Sequence, residues 1–125
     1  MTEATLAYVK NLMKSMDIPY DFMRWNKEEM PDCYFIGEYF ETPSLTREEN
    51  GYQETTFILR GFTRQEWLLL ERAKAKIEAN MAKTAILEDG TGIAVFYDSA
   101  TPVPTNDAEL NSIKINLKIQ EWKVN

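Results

Sequence analysis

The stretch SIKINLKIQEWKV, residues 112–124, alternates apolar and polar side chains more regularly than the rest of the sequence. Its apolar members up to the first irregularity are Ile113, Ile115, Leu117 and Ile119. Because successive side chains of a strand point to opposite faces of a sheet, the stretch predicts a strand with one apolar and one polar face. The apolar residues then move to even positions, Trp122 and Val124, which predicts a β-bulge just before Trp122.

Other strands are predicted from the same kind of pattern. Residues 33–42 (CYFIGEYFET) and 52–62 (YQETTFILRGF) are rich in aromatic and β-branched side chains, and we expect them to pair antiparallel. The polar segment 43–51 between them is predicted to be a long, mobile hairpin loop. Residues 20–25 (YDFMRW) predict a short strand, and both faces of 33–42 carry aromatic side chains, so both faces should be partly covered.

A hairpin and a connection complete the strand predictions. Residues 84–87 and 93–97 should pair around a turn in which Asp89-Gly90 supplies the positive φ. Residues 98–105 contain two prolines and are predicted to be an extended connection, followed by one helical turn over residues 106–110.

Two amphipathic helices are predicted. The first runs over residues 3–16, with Thr2 as its N-cap. The second begins at a capping box formed by Thr63 and Glu66 and runs to about residue 82. Together the elements predict an α+β fold in a single domain, residues 1–125, with one mostly antiparallel sheet and both helices packed on one of its faces.

Composition excludes several classes of function. The 125-residue chain contains no histidine, which removes the commonest general base and metal ligand. Its net charge is −6, and residues 26–54 carry all of the excess, with eight acidic and two basic side chains. No basic cluster suggests binding to nucleic acid, and no apolar run is long enough to span a membrane. A single cysteine and the absence of a signal peptide favour the cytoplasm.

The reactive side chains have simple structural explanations. Cys33 has no basic neighbour in the sequence to activate its thiol, so we expect a small buried or half-buried strand residue. Four carboxylates on predicted strands (Asp21, Glu38, Glu41 and Glu54) either form a functional pair or lie on the solvated face of the sheet. We therefore predict no enzyme activity, no cofactor and no metal.

Several stretches together resemble a known family. They are IPYDFMRW, CYFIGEYFE, ENGYQETTFILRGFTRQEWLLLERAKAKI, DGTGIAVFYDS with PVPT, and INLKIQEWKV. In element order and scattered residues they resemble the tail-terminator and tail-completion proteins of phages and prophages of Gram-positive bacteria. The resemblance implies a structural protein that forms a ring, commonly a hexamer, and contacts tail-tube and head–tail connector proteins. It implies assembly in the host cytoplasm and a place in the completed virion.

A ring requires a surface patch that meets a different patch on the next subunit. The acidic segment, with Glu48 and Glu49, and the polar face of the 112–124 strand, with Lys114 and Lys118, are candidates for such complementary patches. Trp122 is a candidate anchor, because tryptophan is enriched at the centres of interfaces, although core packing also explains it. Two other classes remain open: a small ligand-binding module or enzyme with a carboxylate-lined pocket between sheet and helices, and a dimeric adaptor or regulator.

Overall fold

The computed structural model describes residues 1–41 and 52–123, which form two helices and six strands. The predicted loop at 43–51 lies outside the described residues. The elements in chain order are α1 (Glu3–Ser15), β1 (Tyr20–Phe22), β2 (Cys33–Glu41), β3 (Gln53–Thr63), α2 (Leu68–Asn80), β4 (Lys83–Ile86), β5 (Thr91–Val103) and β6 (Asn111–Lys123).

The six strands form one sheet in the order β1-β2-β3-β6-β5-β4. Strand β1 pairs parallel with β2, and every other pairing is antiparallel. Strand β6, which contains the regular alternation, lies between β3 and β5 near the middle of the sheet. The predicted α+β fold, with one mostly antiparallel sheet and two helices, is confirmed.

The apolar face of β6 forms the centre of the core, as its alternation predicts. All four of its odd-numbered apolar side chains from Ile113 to Ile119 are at most 1% exposed. They share one cluster with Val9 and Met13 of α1 and with Leu70 of α2. Both helices therefore cover the same face of the sheet, here called the covered face. Burying each such side chain contributes about 1.5–3 kcal/mol to the free energy of folding.

Helix α1 begins where the sequence predicts. Thr2 has an extended backbone conformation, and its side chain accepts a hydrogen bond from the Thr5 backbone N–H at 3.1 Å. Glu3 in the first turn and Lys14 in the last turn both complement the helix dipole. This cap fixes the first turn of α1 over the end of the sheet.

The start predicted for the second helix is wrong. Thr63 is the last residue of β3 and is completely buried, and α2 begins five residues later, at Leu68. The Thr63 hydroxyl donates to the backbone carbonyl of Asp32 at 2.6 Å and accepts from the Gln65 backbone N–H at 3.0 Å. Strand pairing and these two bonds hold Thr63 in the sheet, so the local capping pattern does not form. The spacing predicts an apolar stripe for this helix of Leu69, Leu70, Ala73, Ile77 and Met81. All of these residues are buried except Leu69, which is half-buried.

Replacing Glu66 tests this difference. A true capping-box glutamate would stabilise the helix by about 0.5–2 kcal/mol, the usual range for capping contacts. Because Glu66 is exposed and precedes α2, we expect Glu66→Ala to change the free energy of unfolding by less than about 0.5 kcal/mol, as for other surface substitutions. Urea denaturation followed by circular dichroism would measure the difference. A loss above about 1 kcal/mol would instead show that Glu66 does form a capping box with Thr63.

The extended connection predicted over residues 98–105 is also wrong, because most of this segment belongs to a strand. Strand β5 continues to Val103, beside β6, through a register shift between Tyr97 and Ser99. The bulge predicted just before Trp122 is wrong, because β6 pairs without interruption through Trp122 with Gly92 and Lys123 with Thr91. The bulge therefore lies in β5, which contains one extra residue between Tyr97 and Ser99. Beyond this residue, β5 continues to pair with β6.

Candidate interaction surface

The even-numbered side chains of β2, β3 and β6 lie on the face opposite to both helices, here called the open face. Phe96 of β5 lies on the same face, and after the register shift between Tyr97 and Ser99 so do the odd-numbered side chains of β5. The register aligns them in rows that cross β2, β3, β6 and β5 in that order. The three rows from one end are Tyr34–Phe62–Ser112–Val103, Ile36–Arg60–Lys114–Thr101 and Glu38–Ile58–Asn116–Ser99. The fourth row is Phe40–Thr56–Lys118–Phe96. The face is thus mixed, with apolar, aromatic and charged positions interleaved.

One end of the open face is an aromatic cluster. Tyr34 stacks on Phe62 across the β2–β3 pair, with ring centroids 5.4 Å apart. Trp25, from the segment after β1, lies 5.0 Å from the Tyr34 ring, and its indole N–H donates to the carbonyl of Glu29 at 3.0 Å. These contacts cover part of β2, which explains why both faces of that strand carry aromatic side chains.

The second row places two cations directly opposite each other. Arg60 pairs in register with Lys114, and like charges in that position destabilise a sheet. Arg60 is compensated by an ion pair with Glu38 on β2. No described carboxylate lies within 4.0 Å of the Lys114 ammonium, considering residues 1–41 and 52–123. Lys114 therefore presents a half-buried positive charge that the described chain does not neutralise.

Lys118 is anchored within its own chain. Its ammonium donates to the Thr56 hydroxyl at 3.0 Å and lies 3.9 Å from the carboxylate of Glu54. The two lysines predicted together thus differ: Lys118 already has partners in the sheet, whereas Lys114 has none among the described carboxylates. The alternation pattern cannot distinguish the two lysines, because their partners depend on how β6 pairs with β3.

The row that contains Lys118 ends in two exposed phenylalanines. Phe40 on β2 is 58% exposed and Phe96 on β5 is 48% exposed. Three strand spacings separate them, or about 14 Å. Thr56 and Lys118 lie between them, so the two rings do not form one contiguous apolar patch, but aromatic side chains are enriched at contact sites for other proteins. These two residues were not predicted, because each is recognisable as outward-facing only once its strand's register is known.

The remaining predicted interface residues lie in different places. Trp122 is half-buried on the open face and packs against Gly92, so it covers the sheet itself. Glu48 and Glu49 lie outside the described residues. Among the predicted interface residues, the structure places Lys114, Lys118 and Trp122 on one face and leaves the acidic partner patch untested.

The four predicted carboxylates do not converge on one point. Glu38 contacts Arg60, and Glu54 lies near Lys118, so both fall on the open face beside basic partners. Asp21 accepts hydrogen bonds from the backbone N–H groups of Phe22 and Asn26 at 3.0 and 2.8 Å. Asp21 thereby closes the turn after β1. The geometry therefore agrees with a sheet-surface and turn role for these three residues.

A carboxylate that was not predicted is the most buried one described. Glu121 is 6% exposed, and it lines a cavity of about 450 Å³ at the end of the sheet together with Glu41. Its Oε2 atom accepts from the Thr5 hydroxyl at 2.7 Å and from the Thr2 backbone N–H at 3.2 Å. The amino group of Met1 contacts Glu41 and lies 3.9 Å from Glu121 Oε1. The carboxylate thus binds the first turn of α1, where the helix dipole favours negative charge.

Cys33 is half-buried at the start of β2, as predicted. Burial raises the pKa of its thiol, which opposes formation of the reactive thiolate. Among the described residues, no group of three or more His, Cys, Asp or Glu side chains is placed to hold a metal ion.

Comparison of the sequence with protein-family models and with curated proteins gave no match. No helix in residues 1–41 and 52–123 is both long and apolar enough to cross a lipid bilayer.

Proposed function

We propose that this chain is a structural assembly protein of a phage or prophage tail, a tail terminator or a head–tail joining component, that acts through contacts between subunits. The proposal combines the whole-chain resemblance with the open face of the sheet. The observation that carries it is the row from Phe40 to Phe96, in which exposed aromatic side chains flank an internally neutralised centre. A partner can bury those rings without stripping water from an unpaired charge in the same row.

The partner that fits this face best is another copy of the chain, followed by tail-tube and connector proteins. Lys114 adds a positive charge beside the aromatic row, and the chain as a whole carries a net charge of −6. An acidic patch of a neighbouring copy would neutralise Lys114 and relieve its repulsion with Arg60. The role is structural, so it requires no catalytic group and no cofactor.

Self-association provides the direct test. We expect Phe96→Ser to weaken association of the purified chain by at least about tenfold, since buried aromatic anchors dominate interface energies. Leu68→Ser is the matched control, because Leu68 on α2 is 47% exposed against 48% for Phe96 but lies on the helix side. Multi-angle light scattering over a range of concentrations would measure the mass, with negative-stain microscopy to reveal rings.

Two results would contradict the proposal. One is an equal effect of both serine variants on the association constant. The other is a wild-type chain that stays monomeric and also fails to bind isolated tail tubes. An independent check is the genomic neighbourhood, where the proposal requires genes for a tail-tube protein and a head–tail connector beside this one.

A further inference from the structure

A basic cleft lies between α1 and β1. Lys10 and Lys14 of α1 and Lys27 from the segment after β1 line a cavity of about 390 Å³. The only carboxylate among its lining residues is Asp17. Three cations and one anion give the lining a net charge of +2 on a chain whose overall net charge is −6.

The three lysines are brought together by the fold. Lys10 and Lys14 are four residues apart, so they lie on the same side of α1. Lys27 is positioned by its own contacts: its ammonium donates to the Tyr20 carbonyl at 2.8 Å and lies 4.8 Å from the centroid of the Trp25 ring. Both of these partners are uncharged, so they orient the ammonium without neutralising it.

The positive charge of the cleft is not cancelled by the described chain. None of the ion pairs within residues 1–41 and 52–123 involves Lys10, Lys14 or Lys27. Like charges four apart on a helix destabilise it by about 0.2–0.5 kcal/mol, so the arrangement slightly opposes folding. An anion held between the lysines would remove that repulsion.

A second cavity, of about 250 Å³, adjoins the first and shares Lys10, Tyr20 and Lys27 with it. It adds three apolar residues, Leu6, Ala7 and Phe22, and one carboxylate, Asp21. Small-molecule sites commonly combine an apolar wall with a few convergent charged groups, in volumes of about 300–1,000 Å³. The two cavities together have that character.

We propose that this cleft binds the dianionic phosphate group of a small phosphate monoester between the three lysines, with the organic part against Leu6 and Phe22. A phosphate monoester carries a charge of about −1.5 to −2 at pH 7, which complements the +2 of the first cavity; with Asp21 included, the two cavities together carry +1. Lysine binds phosphate as a point charge and needs no planar geometry. This inference does not depend on the proposed assembly role.

Calorimetric titration of the full chain with phenyl phosphate and with inorganic phosphate tests the proposal. We expect both to bind, and phenyl phosphate to bind more tightly, because only its ring can occupy the apolar cavity. The Lys10→Gln/Lys27→Gln variant should bind phenyl phosphate at least about tenfold more weakly. The control, Lys83→Gln/Lys123→Gln, removes two exposed lysines elsewhere and changes the net charge equally, so it should bind as the wild type does.

Three results would overturn the proposal. The first is no saturable binding of either phosphate up to about 10 mM, well above the range of a specific small-anion site. The second is equal loss of binding in the two double variants, which would show that only net charge matters. The third is binding of a glutamate-rich peptide but of neither phosphate, which would assign the cleft to an acidic protein segment. Thermal unfolding of both double variants would check that none of the four substitutions disrupts the fold.

Discussion

The Gly61→Ala variant is expected to lose about 2–3 kcal/mol of its free energy of unfolding, a large cost for the addition of one methyl group. Gly61 lies on β3 directly between Phe35 of β2 and Ile113 of β6 on the covered face. An added Cβ would be 2.5 Å from Cε2 of Phe35 and 3.0 Å from Cγ2 of Ile113. Both neighbours are at most 1% exposed, so neither side chain can move into solvent to make room.

The matched control is Gly92→Ala. A Cβ at Gly92 would also collide with a ring, that of Trp122, but Trp122 is half-buried on the open face and can turn outward. We therefore expect a cost of less than about 1 kcal/mol, partly offset because alanine restricts the unfolded chain more than glycine does. Urea denaturation of both variants would measure the contrast.

A second-site change identifies the cause. Phe35→Leu removes the ring atoms that the new Cβ meets, so the double variant with Gly61→Ala should be less destabilised than the sum of the single variants. Strict additivity would show that the cost of Gly61→Ala arises from the backbone and not from collision with Phe35. Equal stability of Gly61→Ala and the wild type would mean that the packing of the core differs from the structure described.

The buried face of β6 follows its alternation, whereas the local hydrogen-bond patterns divide: the Thr2 cap of α1 forms and the Thr63–Glu66 capping box does not. The alternation over residues 113–119 predicted its buried face because one face of a central strand must lie on the core. The Thr63–Glu66 capping pattern failed because Thr63 pairs with Cys33 and Asn111 as the last residue of β3, and its hydroxyl accepts from the Gln65 backbone N–H. Tertiary contacts of this kind override local propensity, and a single sequence contains no sign of them.

The candidate surface was predicted in part. The polar face of β6 follows from its alternation, so Lys114 and Lys118 could be placed on one surface from sequence alone. Phe40 and Phe96 could not be added to it, because their position depends on how β2 and β5 pair with the strands between them. The extra residue in β5 between Tyr97 and Ser99 changes which face each later residue occupies, and nothing in the residue pattern marks it.

The change of apolar phase at Trp122 does not arise from a bulge. A bulge would be required only if the core side of the strand stayed apolar. The structure keeps the register and places a carboxylate, Glu121, on the covered side. The phase change thus marks a buried polar group that serves α1, which is an alternative to a bulge wherever a strand ends beneath a helix N-terminus.

Glu121→Ala is the second variant with a large expected effect, a loss of about 2–3 kcal/mol in the free energy of unfolding. The change removes the acceptor for the Thr5 hydroxyl and the Thr2 backbone N–H, and hydrogen bonds to a charged group are worth about 1.5–3 kcal/mol. It also leaves the Thr5 hydroxyl, in a completely buried residue, with only the Thr2 hydroxyl as a partner, at 2.9 Å. Faster hydrogen exchange in the first turn of α1 should accompany the loss.

Two further variants separate the contributions of charge, hydrogen bonding and packing. Glu121→Gln keeps an acceptor oxygen and the side-chain volume, so we expect a loss of only about 1 kcal/mol. Glu41→Ala removes a carboxylate from the same cavity whose side chain is 39% exposed, and an exposed ion pair contributes about 0–1 kcal/mol. The predicted order of stability is therefore wild type, then Glu41→Ala and Glu121→Gln together, then Glu121→Ala.

Burying a carboxylate is itself unfavourable, so Glu121→Ala could also prove to be as stable as the wild type. If Glu121→Ala were as stable as the wild type, the cost of removing Glu121 from water would equal or exceed the energy of its hydrogen bonds to α1. A charge kept at such a position without a gain in stability marks a group retained for binding or chemistry. That result would move the cavity formed by Glu41, Glu121 and Trp122 ahead of the open face as the functional site, and would favour a ligand-binding protein over an assembly protein.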